Sequence, residues 1–432
     1  MKLSGLQKQL FKGISSAFGV KLAGIGLSFV VQVILADALG DLQYGYYAYA
    51  ATWLNYLIVV ASLGFDKAAL RQASVFYNKQ QYSKFAGYVR YSIQYTLLAG
   101  IGIATVFVLV VMVPALKVEY ELQRTFFAAA VAMPFFALLV LYESLLRSIK
   151  KIILAYLPQS IIRPALFIIA IALFKFGFID AQLGAWQAMA INAGSIIIGL
   201  GFSWLLLKRF VPQLKYEADT AEHKAWRALG ISMLGISVIK TGMAQVDVLS
   251  LGFFKEIGAE NIGYYNAAKK IANLASFGLL AANIYIAPQI STFYHDGQMK
   301  KLEKLVVTAS RFILLFTLVA TLGLVVLGSW LLGLFGPSFT VAYVPLLILL
   351  GGQVVNSWAG PVALLMSMTK YTRLLIRVFF VSMLLNIVIN IVLVPTYGIM
   401  GAAIGTSAIT IIWNIALSIM VRRLLHIRGT AF

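Results

Sequence analysis

The chain has 432 residues, 61% of them hydrophobic and 12% charged, with a formal net charge of +20. Its mean hydropathy of +0.88, carried by repeated apolar runs of about 18 residues or more, excludes a soluble domain and indicates a polytopic α-helical membrane protein. With no cysteine there are no disulfides, thiolate nucleophiles or cysteine metal sites. The three histidines, His223, His295 and His426, lie in separate segments whose spacing does not join them into a metal triad.

Taken in chain order, the apolar runs predict spans near residues 13–35, 44–65, 91–113, 125–146, 157–176, 184–207, 230–254, 262–287, 307–332, 341–366, 375–394 and 399–420. The expected fold is an all-α integral membrane protein of about twelve transmembrane helices in two pseudo-symmetric six-helix bundles. The polar stretch after the sixth span divides the chain into a bundle over 1–210, a linker over 211–229 and a second bundle over 230–432. No span-free stretch is long enough for a soluble domain. Ala36-Asp37-Ala38 resembles a signal-peptidase site. However, Lys21 interrupts the apolar region before it, and that region is too long for an h-region, so the first span reads as uncleaved.

Alternate connections collect most of the 35 basic residues. Lys2, Lys8 and Lys12 precede the first span, and Lys67, Arg71, Lys79, Lys84 and Arg90 follow the second. Arg147, Lys150 and Lys151 come next, then Lys208, Arg209, Lys215, Lys224 and Arg227. The last sets are Lys300, Lys301, Lys304 and Arg311; Lys370, Arg373 and Arg377; and Arg422, Arg423 and Arg428. The opposite connections hold only Lys117, Arg124, Lys175 and Lys255. This asymmetry is the positive-inside pattern and predicts that both termini are cytoplasmic. The charge is therefore mostly a topology signal, and nucleic acid is not an expected partner.

Several words recur at one offset. Gly45-Tyr46-Tyr47-Ala48 opens the second span and Gly263-Tyr264-Tyr265-Asn266 the eighth, 218 residues on; Asn55 meets Asn273 at the same offset, and Lys21 meets Lys240 one residue further. The chain reads as a duplication of six-helix units in parallel orientation, the build of many secondary transporters, whose substrate site lies between the repeats. Tyr44, Tyr46, Tyr47 and Tyr49 are expected in an aromatic belt at the outer interface, with stacking on sugar rings as a second role. Pro134, Pro164, Pro288, Pro345 and Pro361 can kink their spans.

Helical spacing groups the polar residues of the spans into stripes. Lys21, Ser28 and Gln32 fall within about 40° of one another on the first. Ser237, Lys240, Ala244 and Asp247 share one side of the seventh, and Asn266, Lys269, Asn273, Ser276 and Asn283 line the eighth. Lys270 is rotated away from that stripe by about 100°, which favours Lys269 as the functional lysine. Each lysine has two readings: a charge retained for function inside the membrane, or a side chain snorkelling to the interface. Arg163, between Pro158 and Pro164, reads as a shallow interfacial anchor or a contact for a lipid phosphate. Glu143 reads as a surface or helix-end charge. Asp247 either pairs with a lysine of another helix or carries a coupling proton or sodium ion; Lys240, about 10.5 Å of helical rise away, is not its expected partner. The surplus of Lys21, Arg163, Lys240, Lys269 and Lys270 over Asp247 and Glu143 favours an anionic substrate, which Asn273 and its stripe would hydrogen-bond.

The C-terminal region carries the most specific text. Leu350-Gly351-Gly352-Gln353-Val354-Val355-Asn356-Ser357-Trp358-Ala359-Gly360-Pro361 is followed by Met368-Thr369, and then by a segment containing Asn386, Asn390, Pro395, Tyr397, Gly398, Gly401, Ala402 and Ala403. With the Gly263-Tyr264-Tyr265 start of the eighth span, this resembles the bacterial polysaccharide or O-antigen flippases of the MATE-like exporter superfamily. The resemblance implies two six-helix bundles around a V-shaped cavity in a bacterial inner membrane. It implies a substrate, an undecaprenyl-diphosphate-linked oligosaccharide, moved to the outer leaflet by alternating access. It also implies a polysaccharide polymerase and a chain-length regulator as partners, besides membrane lipid. The drug-exporting branch often carries a carboxylate in the first span, where this chain has Lys21. No cofactor and no ATP-binding motif is present in the sequence. The drive is expected from H+ or Na+ coupling, or from the membrane potential at about 2.3 kcal/mol per charge per 100 mV. A multidrug or small-solute antiporter of the same fold is the alternative; a membrane enzyme would need larger outer loops than the roughly ten-residue ones found.

Overall fold

The computed structural model describes residues 5–175, 183–210 and 220–431. Among them there is no strand: in hydrocarbon the backbone must satisfy its own hydrogen bonds, and a helix does so within one segment. The helices are α1 (Gly5–Ala61), α2 (Phe65–Asn78), α3 (Tyr82–Val111), α4 (Tyr120–Ser148), α5 (Ile152–Leu157), α6 (Arg163–Lys175) and α7 (Ala185–Phe210). They continue with α8 (Thr220–Phe253), α9 (Ala259–Leu274), α10 (Phe277–His295), α11 (Met299–Gly333), α12 (Tyr343–Ala359), α13 (Val362–Ser367) and α14 (Thr372–Leu425). Nine stretches among the described residues are long and apolar enough to cross a bilayer; α9 and α10, bent by 49° at the break between them, pass the same test only as a pair. The protein is a multi-pass membrane protein.

Two of these helices are far longer than one crossing. The 57 residues of α1 would extend about 85 Å at 1.5 Å per residue, against a hydrocarbon core of about 30 Å. The backbone leaves helical geometry at Gly40 (φ 70°, ψ 175°), between the predicted spans 13–35 and 44–65. In α14 it does so at Gly398 (φ 55°, ψ −132°), between 375–394 and 399–420. A positive φ is cheap only for glycine, so each long helix breaks at that residue. The predicted span 341–366 is likewise divided, at Gly360 (φ 69°).

The chain divides into two compact units, Met1–Thr241 and Gly242–Phe432. Residues 211–219 of the predicted linker lie outside the described residues; from Thr220 onward the chain is already α8, and the division falls inside that helix. In the first unit α4 is the inner helix, packed against α1, α2, α3 and α7. The connection after the second span forms the amphipathic α2, which buries Phe65, Ala69, Ala73 and Phe76 and exposes Lys67, Leu70 and Arg71. Trp226, 2% exposed, enters this core with its ring edge-on to Phe76, Tyr88 and Tyr91 at 6.2, 5.4 and 5.5 Å. Lys84 of α3 pairs with Glu222 beside it. In the second unit Ile290, Val306, Leu365, Leu417 and Val421 form the core. The C-terminal segment is tied back by Arg311 Nε donating to the Ala431 carbonyl at 3.0 Å and by Ala431 N donating to the Trp358 carbonyl at 3.1 Å. Phe312, Leu315, Val319, Leu322, Val326 and Trp330 of α11 form an exposed apolar stripe suited to lipid.

The tyrosines that open the predicted second span are not a belt. Tyr44, Tyr46, Tyr47 and Tyr49 are all buried. The Tyr44 hydroxyl donates to Gln32 Oε1 at 3.1 Å, the Tyr46 hydroxyl donates to Glu119, and Tyr47 stacks on Phe167 at 6.2 Å. A buried phenol needs a polar partner; for Tyr44 and Tyr46 it is supplied by Gln32 of α1 and by Glu119, just ahead of α4.

The tightest backbone approach in the first unit is at Gly64, where φ is 71° and an added Cβ would lie 2.2 Å from the Gly230 carbonyl oxygen. Gly64→Ala should therefore lower stability by at least about 1–2 kcal/mol from the left-handed backbone alone. Gly26→Ala, where an added Cβ meets nothing within 4 Å, should be neutral or stabilising by up to about 1 kcal/mol. Unfolding of the two variants in detergent, side by side, checks the contrast.

Candidate functional site

In the second unit Asp247 of α8 is a buried carboxylate with a full set of donors. Lys269 Nζ of α9 donates to its Oδ1 at 2.7 Å and to the Ala244 carbonyl at 2.6 Å. Val248 N also donates to Oδ1, at 2.8 Å. On the other oxygen, the Tyr265 hydroxyl donates to Oδ2 at 2.7 Å and Thr406 Oγ1 at 3.2 Å. Tyr265 and Lys269 are four residues apart and so lie one above the other on α9; Thr406 comes from α14. Isolated buried ions cost several kcal/mol each, and a pair is tolerated when its remaining lone pairs and protons are satisfied. Lys269 thus has its charge matched by a protein carboxylate, its side chain remaining 16% exposed.

A run of carboxamides lies in the same unit. Gln353 Nε2 donates to Asn273 Oδ1 at 3.5 Å, Asn356 Nδ2 to Gln353 Oε1 at 3.3 Å and Asn414 Nδ2 to Asn356 Oδ1 at 3.1 Å. Asn390 Nδ2 donates to Asn386 Oδ1 at 2.8 Å. The first of these contacts is at the outer limit of a hydrogen bond. It leaves the exposed Asn273 able to bond another polar group.

The other basic residues stand in different surroundings. Lys21 Nζ lies 4.5 Å from the centre of the Tyr156 ring. The Tyr156 hydroxyl accepts from Arg147 Nη1 at 3.1 Å, and Arg147 Nη2 donates to Ser144 Oγ at 3.0 Å. Arg147 also pairs with Glu143 at 3.7 Å, whose side chain is only 15% exposed. Of the two readings of Glu143, a surface or a helix-end charge, the second describes it: it lies near the end of α4, part-buried in a charge network within electrostatic reach of Lys21 and Lys67. Arg163 donates from Nη2 and Nε to Asn192 Oδ1 at 2.9 and 3.3 Å and stacks over Phe136 at 4.5 Å. Its partners are protein groups of α4 and α7, where the sequence suggested a shallow anchor or a lipid phosphate. Lys240 is exposed, with no hydrogen bond or ion pair among the described residues. Lys67, read from the sequence as a topology charge, lies within its electrostatic reach. Lys270 is half-buried on α9.

The structure brings Asp247 and Lys269 together in the second unit; Lys21 and Lys240 both fall in Met1–Thr241. Sequence reasoning missed Tyr265, Thr406, Arg147 and Tyr156. For Tyr265 a signal exists, its four-residue spacing from Lys269; Thr406, 159 residues after Asp247, has none.

The family described as "Polysaccharide biosynthesis protein" matches residues 10–294, about two thirds of the chain. The chain belongs to this family. Among curated proteins it is similar to the probable low-salt glycan biosynthesis flippase Agl15 of Haloferax volcanii, at 26% identity over 182 residues. That alignment covers 42% of this chain and 36% of Agl15, little more than a third of that relative's length. Among solved structures the fold is similar to that of the lipid II flippase MurJ in an inward closed conformation. There the TM-score is 0.70 at 16% identity over 95% of this chain and 87% of MurJ. It is similar also to an inward-facing multidrug resistance MATE family transporter, with a TM-score of 0.68 at 15% identity over 96% and 94% of the two chains. This polysaccharide biosynthesis family member therefore has the fold common to MurJ and the MATE transporters.

Removing one partner of the buried pair strands the other. Asp247→Ala should cost about 3–5 kcal/mol, whereas the double substitution Asp247→Leu with Lys269→Met should recover most of that loss. Unfolding transitions of the three proteins in one detergent check it.

Proposed function

We propose that the protein is a flippase for a lipid-linked oligosaccharide, with undecaprenyl diphosphate as the carrier, moving it from the inner to the outer leaflet of a bacterial inner membrane. Family membership carries the reading. The similarity to Agl15, a probable glycan biosynthesis flippase, and the fold shared with the lipid II flippase MurJ support it. The activity is transport, not catalysis. The spans number twelve when the helices broken at Gly40 and Gly398 are each taken as two crossings and α9–α10 as one, and both termini are cytoplasmic. Alternating access moves the headgroup while the polyprenyl tail remains in lipid.

The basic residues supply the attraction for the diphosphate. Lys240, exposed and without an acidic partner among the described residues, is the strongest anion contact. Lys21 and Arg163 are held by aromatic rings and a carboxamide, none of which neutralises a cation. Lys269 differs, because Asp247 already balances it; its part is to exchange between Asp247 and the substrate. Asn273 and Lys270 contact the headgroup from the same helix. The fold similarity to a multidrug transporter favours one second reading, an antiporter using Asp247 as its coupling acid. Against it, α1 has no acid before Asp37, and Asp247 is already paired. Coupling to H+, Na+ or the membrane potential supplies the drive, and a polymerase and chain-length regulator receive the product.

Two measurements test this. In proteoliposomes translocating a lipid-diphosphate oligosaccharide, Lys240→Ala should lower the rate about tenfold and Lys21→Ala by less. Full activity of Lys21→Ala, Lys240→Ala and Lys269→Ala at normal expression overturns the cationic site. Because the native chain has no cysteine, single cysteines report topology directly. Lys79→Cys and Arg428→Cys should react with an impermeant maleimide only after the cytoplasmic face is opened, and Lys117→Cys should react in intact cells.

A further inference from the structure

The first unit contains a cavity of about 600 Å³ at the end of its helices where Lys117 and Arg124 lie. This is within the range of about 300–1,000 Å³ typical of small-ligand sites. It is lined by Leu39 and Gln43 next to the break in α1, Glu121 and Arg124 in the first turns of α4, and Trp186 and Gln187 in the first turn of α7. None of the lysines assigned to the diphosphate lines it.

Its polar groups are held in place. Arg124 lies 4.3 Å from the Trp186 ring centre and 5.5 Å from that of Tyr120, and pairs with Glu121 at 3.7 Å. Gln43 Oε1 accepts from Ala185 N and Gln187 Oε1 from Gly184 N, both at 2.9 Å. The backbone at the start of α7 thus fixes the orientation of both carboxamides, and the amide NH2 of Gln43 remains for a ligand. The wall offers an indole, a paired carboxylate and guanidinium, and an oriented carboxamide: donors and acceptors in balance, beside an aromatic face. The Glu121–Arg124 pair contributes no net charge, so the cavity has little to hold a phosphate. A sugar ring matches it, with hydroxyls that both donate and accept and an apolar C–H face that lies against an indole.

We infer that this cavity is a neutral carbohydrate subsite that takes the glycan of the lipid-linked substrate, apart from the basic residues that take its diphosphate. The inference rests on the flippase reading for its biological role, but sugar binding is measurable without transport. Saturation-transfer NMR on the full chain in nanodiscs, with maltotriose and chitotriose as probes, should show transfer to the sugar C–H protons. The signal should fall at least fivefold in Trp186→Ala and in Gln43→Leu, persist in Lys240→Ala, and resist competition by inorganic diphosphate. Each variant is first compared with the native chain by gel filtration and thermal unfolding, and whichever of the two folds normally decides the result. Signals unchanged in the folded variant, abolished by diphosphate, or absent from the native chain overturn the subsite. The transport assay is scored separately. Flipping without trisaccharide binding refutes this cavity alone; binding to Trp186 without flipping refutes the flippase reading and keeps the sugar site.

Discussion

A charge inside hydrocarbon must find a partner, and that constraint organises the interior of this protein. Asp247 and Lys269 meet it by neutralising each other, with Tyr265, Thr406 and the Val248 amide completing the shell of the carboxylate. Arg163 meets it with Asn192 and the Phe136 ring, and Lys21 with the Tyr156 ring. The partners differ in kind, and the difference matters for function. A carboxylate cancels the charge it holds, whereas a ring or a carboxamide steadies a cation and leaves its field intact. In the function we propose, Lys21 and Arg163 attract the anionic headgroup, Lys21 with the Glu143 carboxylate in electrostatic reach, and Lys269 does so only when Asp247 releases it.

The thickness of the bilayer explains where the longest helices depart from helical geometry. Breaking a helix within hydrocarbon frees polar groups that lipid cannot satisfy, so these two break between spans, at residues that adopt a positive φ cheaply. Gly40 and Gly398 divide two helices that would otherwise overrun a bilayer, and Gly360 and the 49° bend between α9 and α10 divide two others. The cavity with Trp186 lies beside the Gly40 break, where α1 comes within hydrogen-bonding distance of the first turn of α7 through Gln43.

Much of this was legible in the residues. The all-helical membrane class follows from composition, and both long helices broken at glycine were read as adjacent span pairs. The family was recognisable from the words between Leu350 and Ala403 and around Gly263, although its matched region, 10–294, includes only the second. Pairing of Asp247 with a lysine from another helix was one of two readings, and helical spacing favoured Lys269 over Lys270. Illegible features depend on contacts between distant helices. Thr406 reaches Asp247 only through the packing of α14, and the aromatic side chains after Gly45 look like an interfacial belt until the surrounding helices bury them. Arg147 and Lys67 sit among residues that the positive-inside pattern explains by itself, so nothing local distinguishes them from topology charges.

The central claim is that the headgroup moved is an anionic lipid-linked glycan. The most direct measurement uses the native protein in liposomes, loaded in parallel with a fluorescent lipid-diphosphate oligosaccharide and with a cationic dye such as ethidium. The account predicts that the glycolipid becomes accessible to an external quencher far faster than in protein-free vesicles, while the dye stays where it was placed. Extrusion of the dye under a proton or sodium gradient, with the glycolipid unmoved, would contradict it.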